Sequence, residues 1–210
     1  VGRRRSLGAD LALFRSPAAL VLFLFFVISA LTTLGISSQS VSALVALHGI
    51  STLTAAGALS GFFIGSAIGV LGGGLLADHT DRYDLVAAFG FTSASASIAT
   101  IGLFDLPQPL VFAALGLTGF MLGAILPSRD MLVRALAPPG TIGKLYGFMS
   151  VGLEIGAASS PLLLGMMVDS GWPQGVFLST ALFMLGSLSA AVVAARWVRR
   201  REPEPEMARP

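Results

Sequence analysis

Glu154 is the acidic residue hardest to read as a surface charge. It alone interrupts an otherwise uncharged run from Leu145 to Val168, ten residues after Lys144 and fifteen before Asp169. At helical rise it lies about 15 Å and about 22 Å from those markers, near the middle of a bilayer. An ionisable group there is costly and normally faces a protein interior or a water-filled cavity. Desolvation favours the neutral form of a carboxyl, which suits a group that takes up and releases protons. Two plainer readings stay open: a protonated Glu kept for one structural hydrogen bond, or a position nearer the interface.

Other groups could act on a solute or on a conformational change. Asp78 and Arg82 stand in GGLLADHTDRYD, Gly73 to Asp84, just past an apolar run. A carboxylate there can meet the N-terminus of a neighbouring helix, and a basic residue four positions on is within reach if the helix continues. A plain turn with solvated charges is the alternative. Arg129, Asp130 and Arg134 read as a cytoplasmic charge network or as loop anchors. Thr32, Thr33 and Gln39 in the first apolar run and Thr118 in the fourth are candidates to line a solute pathway. Ser and Thr in helices often bond their own backbone instead. No arginine is expected inside a membrane span, and a mostly apolar pathway with one acid and a few hydroxyls leans toward lipophilic or cationic solutes over phosphorylated ones; sugars, drugs and carboxylates remain open, as does direction, efflux included.

The inventory weighs against catalysis. With no Cys there is no disulfide, thiolate metal site or cysteine nucleophile. His48 and His79 fall at the edges of apolar runs on opposite sides, too far apart for a Ser–His pair or a zinc site. No metal, no cofactor and no enzymatic activity are expected.

These residues must be positioned by membrane helices. Of 210 residues 54% are apolar and 11% charged, and the mean hydropathy is +0.83; a soluble domain carries about 25% charged residues. Six runs reach the roughly 20 residues that a spanning helix needs: Ser16 to Leu47, Gly49 to Ala77, Leu85 to Phe104, Leu106 to Ser128, Leu145 to Val168 and Ser170 to Ala195. All 13 Lys and Arg lie before the first run, in the second–third and fourth–fifth connections, or in the tail. The positive-inside rule then puts both termini in the cytoplasm. The pI near 9.7 is therefore a topology signal, and no nucleic-acid partner is expected. Arg3, Arg4 and Arg5 precede an apolar stretch too long for a cleaved signal peptide. Trp172 and Trp197 read as interfacial anchors.

The chain divides into a cytoplasmic lead-in (1–16), a six-helix bundle (17–198) and a disordered, Glu-Pro-rich tail (199–210). Within the bundle Gly61, Gly65, Gly74 and Asp78 recur 91 residues later as Gly152, Gly156, Gly165 and Asp169. Ninety-one residues is three helices, an odd number, so the copies (about 17–104 and 108–198) are inverted, as in secondary transporters. Gly57, Gly61, Gly65, Gly69 and Gly73 form a stripe at four-residue intervals. Such a stripe serves close helix packing, and a smooth face also lets helices rock.

Gly74-x-Leu76-Ala77-Asp78-His79-x-Asp81-Arg82 resembles the signature loop of the major facilitator superfamily, roughly G-x-L-A-D-R-x-G-R-R. His79 takes the place of a basic residue, Asp81 that of a glycine and Tyr83 that of the last basic residue, as in the family's degenerate second copy. The resemblance extends over nearly the whole chain. It implies an all-α membrane protein that is one half, the C-terminal one, of a twelve-helix transporter, and the first residue, Val1, also suggests a piece of a longer chain. It further implies a role for Gly74, Asp78 and Arg82 in locking the cytoplasmic side. The expected partners are the lipid bilayer, an N-terminal six-helix half and a small-molecule substrate, in a bacterial inner membrane. A six-helix scaffold that does not transport is the competing reading.

Overall fold

The computed structural model describes residues 14–79, 83–138 and 140–199, without the side chains at 77–79, 83–84, 195 and 198–199. It contains six α-helices: α1 Pro17–His48, α2 Thr52–His79, α3 Tyr83–Leu103, α4 Gln108–Leu136, α5 Ile142–Asp169 and α6 Gln174–Arg199. Each contains a stretch long and apolar enough to cross a membrane, and no strand occurs among the described residues.

Local chemistry sets the helix ends. The Ser16 side chain accepts a hydrogen bond from the Ala19 amide at 3.3 Å and Pro17 opens α1, a position where its missing N–H costs nothing. Gly49 closes α1 at φ 62°, a left-handed conformation that glycine adopts without Cβ strain. The α5–α6 turn uses Gly171 at φ 78° and then Pro173, so α6 begins at Gln174 and not at Ser170.

Helices α2, α4 and α6 continue past the apolar runs that announced them, α6 from Ala195 to Arg199. α2 continues to His79, which puts Asp78 inside its last turn and not one residue beyond it. α4 continues from Ser128 to Leu136. Charged residues end an apolar run but do not break a helix, and Leu132, Val133 and Leu136 bury the extra two turns against the bundle.

The most extensive packing joins α2 to α4 and α1 to α5, followed by α3 with α6, α1 with α6 and α3 with α4. Exchanging α1 with α4, α2 with α5 and α3 with α6 maps this set onto itself. The register repeats as well. A methyl group added at Gly61, Gly65, Gly69 or Gly73 would meet the backbone of Phe112, Gly116, Phe120 or Ala124 respectively. In α5, Gly152 and Gly156 meet Phe23 and Val27, Ser160 bonds Leu31, and Leu164 sits against Gly35. α2 and α5 are thus related by 91 residues and α1 and α4 by 89. The α1–α2 linker has three residues (49–51) and the α4–α5 linker five (137–141), which accounts for the difference. The glycine stripe is a packing surface for α4, extended at Gly57, where an added methyl group would lie 3.3 Å from the Phe112 ring.

Candidate functional site

α1 and α4 are each gripped by a helix of the other repeat, yet they barely touch one another. Between them opens a recess of about 30 Å³ lined by Phe25, Ser29, Thr32, Thr33, Phe91, Leu122, Ile125, Leu126 and Arg129. Its floor is aromatic: Phe25 stands edge-on to Phe26 and to Phe91, with centroids 5.8 and 6.0 Å apart. Its polar wall is α1. Thr32 is buried and its hydroxyl donates to the Ile28 carbonyl at 3.0 Å, while Thr33 is exposed. The Ser29 hydroxyl is buried without a hydrogen-bond partner among the described residues.

Arg129 closes the inner end of the recess. Its guanidinium carbon lies 4.7 Å from the centre of the Phe26 ring, a cation–π contact, and its Nε donates to Asp130 Oδ1 at 3.2 Å. The side chain is 18% exposed against 45% for Asp130. The Tyr146 hydroxyl donates to the Asp130 carbonyl at 3.1 Å and ties α5 to this turn. Arg134, exposed, lines with Arg129, Asp130 and Pro127 a wider groove of about 430 Å³ that also reaches Val70 of α2. The three charged residues proposed as a network therefore share one groove, with the ion pair formed between Arg129 and Asp130.

This placement corrects the view that no arginine enters a span. The stretch of α4 long and apolar enough to cross a membrane runs from Gln108 to Leu136 and includes Arg129, whose guanidinium lies over the Phe26 ring. The apolar run stops at Ser128 only because Arg129 is charged. The apolar residues Leu132, Val133 and Leu136, at three- and four-residue spacing beyond it, were the legible sign that the helix continues.

The other candidates are dispersed. Thr118 is buried and its hydroxyl donates to the Ala114 carbonyl at 2.8 Å. Gln39 reaches from α1 to the Pro161 carbonyl of α5 at 3.5 Å. Glu154 is exposed, close to the midpoint of α5. It stands two residues from both Gly152 and Gly156, which face α1, and so on the far side of the helix. Glu154 does not line the recess. No added methyl at Gly74 would meet a neighbour within 4 Å. The Asp78 side chain, Arg82, the lead-in before Phe14 and the tail from 200 onward lie outside the described residues. A pair that sequence reasoning missed sits at the opposite end: His48 Nδ1 is 3.3 Å from Asp105 and Nε2 3.3 Å from the Ile101 carbonyl, fastening the end of α1 to the α3–α4 link. Its partners are 57 and 53 residues away in sequence, with no local signal. No cluster of three or more metal-ligating side chains occurs among the described residues.

A family model described as Major Facilitator Superfamily matches residues 18–210. The chain belongs to this superfamily. Within the superfamily it is similar to the 3-(3-hydroxy-phenyl)propionate transporter of Escherichia coli (strain K12), with 38% identity over 118 residues. That match covers 54% of this chain and 28% of the relative. The six apolar helices and the family together make the chain an integral membrane protein with a role in transport, and the family points to transport and not to catalysis.

Proposed function

We propose that the chain forms one six-helix half of a secondary active transporter that moves a small organic solute by alternating access. One observation carries the reading. The two inverted repeats leave α1 and α4 apart around a polar-walled recess, while α2 and α5, the least buried helices, flank them. Exposed residues of α2 and α5 such as Phe63, Ile64, Val151 and Ile155 offer faces to the lipid bilayer and to a second bundle, the N-terminal half. Both termini face the cytoplasm of a bacterial cell, the membrane being its inner one. Asp78 and Arg82 brace the cytoplasmic side when it is closed. The E. coli relative is named for an aromatic carboxylate, and a small aromatic carboxylate is the substrate class we adopt.

Glu154 carries the coupling proton. Its mid-helix level is where a carboxyl exchanges its proton between the two sides only as the bundles rock. The test is Glu154→Gln in the transporter that contains this chain, reconstituted in vesicles. Uptake driven by a pH gradient should fall to background, while exchange of labelled for unlabelled solute persists. Uptake with unchanged dependence on the pH gradient would remove Glu154 from the mechanism.

A further inference from the structure

The His48–Asp105 pair is a fastening at a helix end, and the glycine faces are occupied by neighbouring helices. The small cavity among Ser16, Leu22, Leu136 and Leu145 presents no charged side chain. Arg129 is different, because its charge is held within the bundle and only partly spent.

We propose that Arg129, with the hydroxyl of Ser29, is the subsite that takes the carboxylate of the transported solute. This rests on the transport reading above and names the group by which the substrate is held. Arg129 lines both the recess between α1 and α4 and the wider groove that runs along α4 past Arg134, so it stands where one space leads into the other. The Asp130 pair uses Nε. The two terminal NH₂ groups make no hydrogen bond or ion pair among the described residues. A guanidinium presents five N–H donors, and a carboxylate fits the fork in bidentate fashion. A lysine would offer only a point charge there.

The surroundings suit an anion. The charged groups on this stretch of α4 are Arg129, Asp130 and Arg134, which together carry one net positive charge, and Asp130 is the more exposed member of its pair. The buried Ser29 hydroxyl has no described partner, as is also true of Ser40, Ser128 and Ser187, and of these four it is the one that lines the recess. Thr33, exposed near the midpoint of α1, lines the recess beside this subsite and is not part of it. A recess of about 30 Å³ holds a carboxylate or one water but not an aromatic ring. The ring of the solute lies outside the recess, against the second bundle.

The experiment uses the transporter that contains this chain, reconstituted in vesicles, with phenylacetate as the probe and phenylacetamide as its uncharged match. Thr33→Cys provides a reporter, since the chain has no Cys of its own; any Cys elsewhere in the transporter is replaced. Phenylacetate should slow maleimide labelling of that Cys severalfold while phenylacetamide does not. Arg129→Gln should abolish the protection and raise the KM for phenylacetate about tenfold or more, with Arg129→Lys recovering part of it. Equal protection by the amide, no protection by either compound, or an unchanged KM in Arg129→Gln overturns the subsite. If Arg129→Gln fails to reach the membrane, the acid–amide contrast in the Thr33→Cys protein decides alone. Another solute moving while phenylacetate neither binds nor moves would overturn the subsite and leave transport standing. Selective protection by phenylacetate without movement of any solute would sustain the subsite and overturn transport.

Discussion

The α2–α4 and α1–α5 seams occupy equivalent places in the two repeats and share one register, yet they are built from different materials. Along α2, Gly65, Gly69 and Gly73 lie against the backbone of Gly116, Phe120 and Ala124, and α4 returns the contact with Gly119 against Phe62 and Gly123 against Ser66. Backbone meets backbone, and no side chain intervenes. Along α5 the same four steps are Gly152, Gly156, Ser160 and Leu164. The third step is bridged by a hydroxyl, and at the fourth the large residue has moved to α5 and the glycine, Gly35, to α1. Lipid supplies no hydrophobic drive between helices, so close packing and interhelical hydrogen bonds must hold them. One repeat relies on the first means, and the other mixes both. The mixed seam holds α1, which supplies the polar wall of the recess. The all-backbone seam anchors α4, which carries Arg129.

The sharpest break in this comparison comes from exchanging the fourth step. Gly73→Leu places a branched side chain on the Ala124 backbone and should lower the amount of folded protein in the membrane at least tenfold, an overpacking penalty at or beyond the usual 1–3 kcal/mol. Adding Ala124→Gly copies the Leu164–Gly35 arrangement and should restore part of the loss. Abundance and thermal stability of the purified single and double variants check both statements. No rescue would mean that Gly69 and Gly65, one and two turns away, set the helix separation and leave the fourth step no freedom.

A smaller effect tests the third step. Gly69→Ser copies Ser160 into α2, but its Cβ would land on the Phe120 carbonyl. A backbone atom cannot turn aside as a side-chain end can, so a loss of about 1–3 kcal/mol is expected, read as a fall in thermal stability. A Gly69→Ser protein as stable as the parent would show that this seam has slack and that the contrast between the repeats is one of sequence only.

Much of this was legible beforehand, for physical reasons that differ from residue to residue. Six spans follow from the scarcity of charge, and the inverted repeat from Gly61, Gly65 and Asp78 recurring 91 residues on. The α1–α4 relation of 89 residues was hidden, because the contacts of α4 with α2 are made by backbone and leave no side-chain pattern to align. Arg129 was visible as a residue but misplaced, since a charge ends an apolar run whether or not the helix ends there. Glu154 stands close to mid-helix as its distance from Lys144 and Asp169 implied, yet the side of α5 it occupies depends on which face Gly152 and Gly156 give to α1. The packing partner decided that, and spacing within α5 could not.

The smallest expected effect is at Ser160. Its hydroxyl is fully buried and donates to the Leu31 carbonyl at 3.0 Å, a carbonyl that lies inside α1 and so also accepts the backbone bond of its own helix. Ser160→Ala removes donor and hydroxyl together and leaves no buried polar group without a partner, which is the condition under which losing a hydrogen bond costs little. Interhelical hydrogen bonds in membranes average about 0.6 kcal/mol, so the variant should lose no more than roughly 1 kcal/mol. That is less than Gly69→Ser, although the two substitutions strike the same step of the two seams. A loss in Ser160→Ala larger than in Gly69→Ser would reverse the comparison. The hydroxyl would then be what holds α5 to α1, and Gly152 and Gly156 would only make room for it.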